Sequence, residues 1–502
     1  MAMAVTSLYP LTAGPISTNY AAYSQSSCPV SLALRSSLFR CRIPGSFSAK
    51  KLRLPRPESA PSMKRLKAVS ASASHHSFDV VVVGAGIIGL SIARQFLLES
   101  DLSIAVVDRA VPCSGATGAG QGYLWMAHKT PGSDTWELAV RSRKLWETLA
   151  NSLNDQGLNP LDILGWMNTG SLVVGSSSED TIKLQERVNQ LMEAGVRAEF
   201  LSSRELEQKE PALFVQEESG AAFLPGDCQL DAHKAVAYIE KVNREFISQG
   251  RYGEFYNNPV MSLLRAYDKG EVEAVQTLKC TLHCKKAIVI AAGCWSGCLM
   301  NDLFCESDIS VDIPVKPRKG HLLVLGNFDS VQLNHGLMEF GYMNHQNLLS
   351  NPTSSVMNGQ ELSVSMTATM DSMGNLVLGS SRQIAGYNTE VDETIIDFIW
   401  KRAADFFPKL RETSISKLRK SRKVRVGLRP YMPDGRPAIA PVPGSNVFLA
   451  AGHEGSGLSL ALGTAEMVVD MVLGKPLQEH GDACKIERQK QPFVLPGKRI
   501  SY

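Results

Sequence analysis

Acidic residues are almost absent from the first 77 residues of this 502-residue chain, which contain sixteen Ser, ten Lys or Arg and a single acid, Glu58. Organelle transit peptides share this Ser-rich, acid-poor composition. A secretory signal is not expected, because no sustained apolar segment follows a basic N-terminus. We therefore interpret residues 1–77 as a disordered transit peptide before a fold that starts at Phe78. The opening Met1-Ala2 and weak basic helical character favour the plastid stroma, with the mitochondrion as the alternative.

Three further absences narrow the function. No run of about eighteen apolar residues exists, so no transmembrane segment is predicted. After residue 77 the chain has 42 basic and 48 acidic residues, and this net charge of −6 gives no indication of nucleic-acid binding. The cysteine pairs Cys280/Cys284 and Cys294/Cys298 have C-x3-C spacing rather than the C-x2-C of common zinc sites, so reduced structural thiols and no metal are predicted. The sequence does not determine an oligomeric state.

What is present is a dinucleotide-binding pattern at Phe78–Arg109. An apolar strand is followed by the glycines Gly84, Gly86 and Gly89, then by an apolar helix and a second strand that ends at Asp108. The three glycines permit a tight turn, a close approach of the backbone to a pyrophosphate, and close packing of helix on strand. The acid can accept both hydroxyls of a ribose. The pattern predicts a dinucleotide site, which could hold FAD or NAD.

The rest of the chain indicates a discontinuous α/β organisation. A flexible segment of small residues at 113–122 follows the first unit, and a strand at Asn446–Ala451 precedes a helix at Ser459–Leu473. We expect both units in one nucleotide-binding domain, with the intervening segments forming a second domain. The predicted ranges are 1–77 for the transit peptide, 78–155, 226–310 and 425–475 for the nucleotide-binding domain, 156–225 and 311–424 for the substrate domain, and 476–502 for a C-terminal tail.

Three separated segments together resemble the D-amino-acid oxidase, glycine oxidase and sarcosine oxidase group of FAD enzymes: Val80–Gly89, Val289–Gly297 and Gly427–Glu466. The resemblance covers most of residues 78–475. It implies FAD rather than NAD, in a Rossmann-like, glutathione-reductase-like domain joined to an α+β substrate domain with a mixed or antiparallel sheet. The candidate cofactor-binding residues are Gly84, Gly86, Ile88, Gly89, Asp108, Arg109, Thr117, Gly118, Gly120, Gly293, Trp295, Gly452, His453, Gly455, Gly457 and Leu458.

Two of these residues keep alternatives. Trp295 in the Gly293–Ser296 segment could be a core residue instead of a ligand contact, and His453 could bind the flavin ring or cap a turn. The glycines Gly455 and Gly457 open a helix whose positive end can face a negatively charged reduced flavin.

Arg429 is the main candidate for substrate binding. In the enzymes that the chain resembles, the arginine of this motif pairs with the substrate carboxylate. A guanidinium makes two parallel charge-assisted bonds to a carboxylate and so fixes its orientation. The alternative is a surface arginine, because residues 417–429 carry many positive charges.

The sequence also departs from this family in two places. Members with a covalent flavin carry a cysteine six positions before the Pro-Asp of the last segment; here Gly427 stands there, so we expect non-covalent FAD. Glycine oxidase-like enzymes have a tyrosine near Met366–Thr367, where this chain has none. Tyr431 or Tyr342 could replace it, or each could be a packed aromatic with a satisfied hydroxyl.

The resemblance therefore implies an FAD-dependent oxidoreductase that oxidises the C–N bond of a small amino acid or N-substituted amino acid. Hydride would pass from the substrate to flavin N5. Oxygen or another carrier would then accept the electrons. The alternatives are oxidation of a 2-hydroxy acid, whose carboxylate Arg429 could also bind, and a flavin-binding assembly subunit without turnover.

Overall fold

A computed structural model describes residues 74–265, 271–304, 313–344, 355–357 and 360–475. The strands, numbered in chain order, are β1 (Ser74–Val83), β2 (Ile104–Val107), β3 (Tyr123–Leu124), β4 (Ser171–Gly175), β5 (Glu199–Ser202), β6 (Gly220–Leu224), β7 (Cys228–Gln229), β8 (Tyr252–Phe255), β9 (Val260–Arg265), β10 (Val272–Thr277), β11 (Cys280–Ile290), β12 (Lys316–Leu325), β13 (Gly336–Glu339), β14 (Ser355–Met357), β15 (Gln360–Met370), β16 (Leu376–Gln383), β17 (Arg422–Tyr431), β18 (Ala438–Pro441) and β19 (Val447–Ala451).

The α-helices connect and cover these strands. They are α1 (Ile87–Glu99), α2 (Ala116–Ala119), α3 (Trp136–Asp155), α4 (Pro160–Leu164), α5 (Ser178–Glu193), α6 (Ser203–Lys209), α7 (Ala232–Arg244), α8 (Ser296–Phe304), α9 (Gly341–Asn344), α10 (Glu393–Phe406) and α11 (Gly457–Leu473). Short 3-10 turns lie at Gly293–Trp295, Pro408–Glu412, Ile415–Leu418 and Glu454–Ser456.

The first large sheet has the strand order β18-β19-β11-β1-β2-β8, with β10 and β9 added beside β11. Strands β19, β11, β1, β2 and β8 are parallel. Both faces of β1 are buried, because Val80 and Val82 pack under the helices α1 and α11 while Val81 and Val83 pack on the other side. A parallel strand covered on both faces needs this continuous apolar sequence.

The second large sheet is mixed, with the order β17-β12-β16-β15-β13-β4-β6-β5 and β14 beside β15. Only β13 and β4 pair in parallel among the described strands of this sheet. Helix α10 packs on one face through Ile396, Ile399 and Ala403. The predicted fold class, an α/β nucleotide-binding fold with a second mixed sheet, is confirmed.

Two predicted boundaries differ from the structure. Strand β1 begins at Ser74 rather than Phe78, because Ser74–Phe78 pair with Cys280–Cys284 of β11. The boundary at residue 425 falls inside β17, whose whole length pairs with β12 of the second sheet. Arg429 is therefore carried by the second sheet, although the sequence placed it in the nucleotide-binding domain.

One helical stretch of the described residues, Glu454–Leu473, is long and apolar enough to cross a membrane, although no such segment was predicted. In its most apolar part, 61% of the residues are buried inside the fold. Buried core helices of soluble proteins commonly have this composition. Here α11 packs against α1 and α3, so the stretch is weak support for a membrane span.

Candidate active site

A cavity of about 670 Å³ has walls from both large sheets. The carboxyl ends of β1, β2, β11 and β19 form one side, and residues of β12, β16 and β17 form the other. Cofactors bind at this end of parallel strands in open α/β sheets. The volume is also within the range of about 300–1,000 Å³ that is common for ligand sites.

The glycine turn between β1 and α1 forms one end of the cavity. Gly84 has φ +119°, and a methyl group placed on it would lie 2.3 Å from the Ala291 carbonyl oxygen. A methyl group on Gly89 would lie 1.9 Å from the Gly84 carbonyl oxygen. By contrast, a methyl group on Gly86 would meet only the Thr117 hydroxyl, at 3.4 Å. Gly84 and Gly89 are thus required for backbone packing, whereas Gly86 has room beside it; Gly84 and Gly86 both line the cavity.

Asp108 lies beside this turn at the end of β2. One carboxylate oxygen accepts the Ala85 N–H and the other accepts the Ala110 N–H, both at 2.7 Å. Each oxygen keeps a lone pair for a further donor, and Asp108 lines the cavity. The side chain is therefore held in place with acceptor capacity to spare, which the predicted contact with a ribose requires.

Arg109 and Trp295 form the neighbouring wall. The guanidinium carbon of Arg109 lies 3.9 Å from the centre of the Trp295 ring, and Trp295 also stacks with Tyr387 at 5.9 Å. Tyr387 lines the cavity and was not found from the sequence. No motif marks it, because it lies in a connection between β16 and α10.

The cavity brings together thirteen of the sixteen candidate cofactor residues, namely Gly84, Gly86, Ile88, Asp108, Arg109, Thr117, Gly120, Gly293, Trp295, His453, Gly455, Gly457 and Leu458. The other three are outside its lining. Gly89 packs α1 on β1; methyl groups on Gly118 and Gly452 would meet the Cys113 carbonyl oxygen at 2.3 Å and Met432 at 2.5 Å. These three positions require glycine for packing.

The cavity fits the predicted cofactor FAD. Methyl groups on Gly115, Gly293 and Gly457, which line the cavity, would have no neighbouring atom within 4 Å, so these backbones leave open space for a ligand. The N-terminus of α1 lies at one part of the cavity and that of α11 at another. Both ends supply N–H groups and positive potential, which suit a pyrophosphate and an anionic flavin.

Arg429 projects from β17 into the same cavity. Its side chain lies against two glycines. A methyl group on Gly320 would lie 2.3 Å from its Nη1 atom, and a methyl group on Gly455 would lie 3.9 Å from its Cδ atom. Nη1 donates to the Ser381 carbonyl oxygen at 2.9 Å. This bond uses one of the five guanidinium donors and leaves the others available to a carboxylate. The surface interpretation of Arg429 is therefore wrong.

The two candidate tyrosines occupy different places. Tyr342 lines the cavity, and the guanidinium carbon of Arg382 lies 3.9 Å from the centre of its ring. Tyr431 lies outside the lining and packs beside Arg318, at 4.7 Å. Of the two, only Tyr342 is placed to touch a ligand.

Charged residues that the sequence analysis missed surround Arg429. Glu454 follows His453 and forms an ion pair with Arg318 at 3.4 Å. Burial alone would raise the pKa of the Glu454 carboxyl, but Arg429, Arg382 and Arg318 hold that pKa below its usual value. The glycine-rich pattern at 452–457 marked this turn, yet nothing in the sequence pairs it with Arg382 and Arg318, which lie more than seventy residues away.

Lys129 lies close to this charged group. It is 7% exposed, and its ammonium donates to the Ser456 hydroxyl. Burial lowers the pKa of Lys129 to about 8, opposed in part by the attraction of Glu454. The turn before α11 therefore contacts positive side chains from two directions: Lys129 through Ser456, and Arg318 of the second sheet through Glu454.

The sequence profile of the DAO family of FAD-dependent oxidoreductases matches residues 79–471. The chain belongs to this family. The matched range includes the glycine turn, the strand that carries Arg429 and the start of α11, all of which contribute to the cavity. FAD is accordingly its cofactor.

Individual relatives agree with this assignment. A glycine oxidase of Bacillus licheniformis is 28% identical over 420 residues, which are 82% of this chain and 98% of that protein. The structure of glycine oxidase from Geobacillus kaustophilus has a TM-score of 0.64 at 22% identity, covering 80% of this chain and 96% of that one. L-proline dehydrogenase from P. horikoshii has the same TM-score at 19% identity, covering 80% and 95%. The two structures show that the fold is shared.

His453 gives this DAO-family protein a testable pH dependence. Its ring is 4% exposed, and Nε2 lies 3.0 Å from the Thr464 hydroxyl oxygen. Burial, and secondarily the charge of Lys129, lower the pKa of His453 from 6.5 to about 3. The unfolded chain therefore binds this proton first, and stability falls as pH falls from 6.5 towards 3.

We expect His453→Gln to remove this contribution. At one proton per molecule, the wild type should lose about 2 kcal/mol more unfolding free energy than the variant between pH 7 and pH 5. Urea unfolding at the two pH values measures the difference, and His233→Gln, at an exposed position outside the cavity lining, is the control. Equal acid sensitivity of wild type and His453→Gln would contradict the assignment of a buried neutral imidazole.

Proposed function

We propose that this protein oxidises the C–N bond of a small amino acid or N-substituted amino acid. The observation that carries the proposal is the Arg429 guanidinium, which lies in the FAD cavity with one donor used by the Ser381 carbonyl oxygen. The names of the relatives, glycine oxidase and L-proline dehydrogenase, support the same class of substrate. A small amine that carries a carboxylate is the ligand that such a site would hold.

In this proposal the protein acts mainly by positioning. Bound beside Gly86 and Asp108, FAD would supply the oxidising power, that is, a two-electron acceptor for the hydride that leaves the α-carbon of the substrate. Arg429 binds the substrate carboxylate through two parallel bonds and so fixes the direction of the Cα–H bond. The amine reacts as the free base, whose lone pair forms the C=N bond as the hydride leaves. Water then hydrolyses the imine to a keto or aldehyde product and ammonia or an amine.

The substrate must therefore lose its ammonium proton before the hydride leaves. Hydride transfer itself requires no dedicated protein base, so a Ser-His-Asp constellation is not needed. Glu454 is the acid that the cavity lining contributes beside Arg429, and its lowered pKa keeps it ionised. A carboxylate at this place favours a cationic amine in the initial complex through simple attraction.

We further propose that oxygen or another carrier reoxidises the cofactor, and that the acid-poor segment before β1 directs the protein to the plastid stroma. The proposal that the electron acceptor is oxygen or another carrier is supported by the names of two similar proteins, because one is an oxidase and the other a dehydrogenase. The second rests on the composition of residues 1–77. A fusion of these residues to a fluorescent protein tests it, and a mitochondrial or cytosolic signal would contradict it.

Anaerobic titration of the purified yellow protein tests the proposed reaction. We expect the flavin colour to be released by acid, as for a non-covalent cofactor, and to be bleached by at least one member of a panel of D-, L- and N-alkyl amino acids. Because oxygen is absent, bleaching reports reduction whatever the natural acceptor is. Bleaching by 2-hydroxy acids alone would replace C–N by C–O oxidation, and no bleaching by any member would contradict the proposal.

A further inference from the structure

Arg382 is a buried arginine whose guanidinium forms no hydrogen bond or ion pair with the described residues. It lies on β16, and its residue is 2% exposed. None of its three guanidine nitrogens, Nε, Nη1 and Nη2, has a hydrogen-bond partner. A buried guanidinium without an acceptor is strongly unfavourable unless a ligand supplies one.

The position of Arg382 connects it to the active-site cavity. Its guanidinium lies over the ring of Tyr342, and Tyr342 lines the cavity. Two residues earlier on the same strand, Ser380 also lines the cavity, and its buried hydroxyl likewise has no hydrogen-bond partner. Arg382 itself is not a lining residue. Its guanidinium lies against a lining residue, Tyr342, and the lining residue Ser380 adds a second unused donor beside it on the same strand.

The balance of charge around Glu454 points in the same direction. Three guanidiniums, those of Arg318, Arg382 and Arg429, are close enough to act on the Glu454 carboxylate. Arg318 forms the ion pair with it. Arg382 and Arg429 form no ion pair with a carboxylate of the described residues. Two positive charges near Glu454 therefore have no negative counterpart in an ion pair. The α-carboxylate of an amino acid would satisfy one of them.

We infer that Arg382 binds a second carboxylate of the substrate. The inference rests on the proposed function, and it narrows the substrate to a dicarboxylic amine: an amino acid with an acidic side chain, or an amine that carries two carboxyalkyl groups. One carboxylate binds Arg429. The other binds Arg382, with the Ser380 hydroxyl as an additional donor.

Binding of unreactive acids to the yellow holoenzyme tests this inference without turnover. The probes are pairs of equal chain length, succinate with butyrate and glutarate with pentanoate, and the readout is perturbation of the flavin absorbance. We expect at least one dicarboxylate to bind about ten-fold or more tightly than its partner, since a hydrogen bond to a charged group has this effect.

Variants of Arg382 test whether this residue causes the preference for dicarboxylates over monocarboxylates. Arg382→Gln should abolish the preference for the dicarboxylate and leave binding of the monocarboxylate within about two-fold. Arg382→Lys should retain part of it, because the positive charge remains. Arg197→Gln removes an exposed arginine that pairs with Glu199 and should change neither. Arg382→Gln should still fold and retain FAD, because it breaks no hydrogen bond of the native protein. The preference of the wild type for a dicarboxylate over its monocarboxylate partner is a test that needs no variant.

Three outcomes overturn the inference, and they are distinguishable. Equal binding of both acids of every pair, while Arg429→Ala still weakens both, would reject the second carboxylate site and leave the proposed reaction standing. A dicarboxylate preference that survives in Arg382→Gln would place the site elsewhere. If no acid perturbs the flavin in either the wild type or Arg429→Ala, the proposed function fails together with the inference.

Discussion

Arg429→Ala should weaken the binding of carboxylate ligands by about 2–5 kcal/mol, which corresponds to roughly 30- to 5,000-fold in dissociation constant. The guanidinium lies in the cavity with one donor bound to the Ser381 carbonyl oxygen. A bound carboxylate therefore loses both its charge partner and its orientation in the variant. Flavin absorbance titration with a monocarboxylate measures the change, and kcat/KM for the substrate should fall by at least as much.

Two matched variants separate orientation from charge. Arg429→Lys keeps the charge but removes the planar pair of donors, so binding should recover in part while kcat remains low. Lys423→Ala removes an exposed charge from the same strand and should have no effect beyond about two-fold. If Arg429→Ala binds every carboxylate as tightly as the wild type, the substrate site assigned here is wrong.

The nucleotide-binding half of this site could be predicted from the sequence because its parts are local. Gly84, Gly86 and Gly89 lie within six consecutive residues, and Asp108 comes at the end of the next strand. The glycines are needed there for steric reasons and the acid for its charge and hydrogen-bond acceptors, so each residue type follows from one physical requirement. The structure accordingly places Gly86 and Asp108 at one end of the cavity.

The substrate half could be predicted only in part, because it is assembled by pairing between distant strands. Arg318 and Arg429 are register partners of β12 and β17, while Arg382 comes from β16 on the other side of β12. No periodicity within any one strand reveals that these three arginines meet Glu454. Arg429 was found from a resemblance, and Arg382 and Arg318 had no local signal at all.

The start of helix α7 shows how similar local signals diverge. Asp227 and Asp231 both precede this helix closely in the sequence, and aspartate is a residue type that commonly caps helix N-termini. Asp231 caps the helix by accepting the His233 and Lys234 N–H groups at 2.8 and 3.0 Å. Asp227 is buried and accepts instead the Met126 N–H at 2.8 Å. That partner lies about a hundred residues away, so only the three-dimensional fold distinguishes the two acids.

Gly89→Ala should abolish FAD binding, whereas Gly86→Ala should not unfold the protein. The added methyl group of Gly89→Ala would lie 1.9 Å from the Gly84 carbonyl oxygen and 3.2 Å from Val82 Cγ1. Because the first obstacle is backbone, α1 must move away from β1, and the glycine turn must move with it. We expect a loss of about 3 kcal/mol or more in unfolding free energy, at the upper end of overpacking effects. The ratio of flavin to protein absorbance and the urea midpoint of the apoprotein measure the two effects.

Gly86→Ala is the matched control from the same motif. Gly86 has φ −75°, which alanine adopts without strain, and the nearest atom to its methyl group would be the Thr117 hydroxyl oxygen at 3.4 Å. The apoprotein should therefore keep its urea midpoint, while FAD affinity falls because the methyl group enters the cavity. If Gly89→Ala bound FAD with full stoichiometry and an unchanged midpoint, the close contact of α1 on β1 would not hold the turn in place. The cofactor role of the glycine turn would then rest on Gly86 alone.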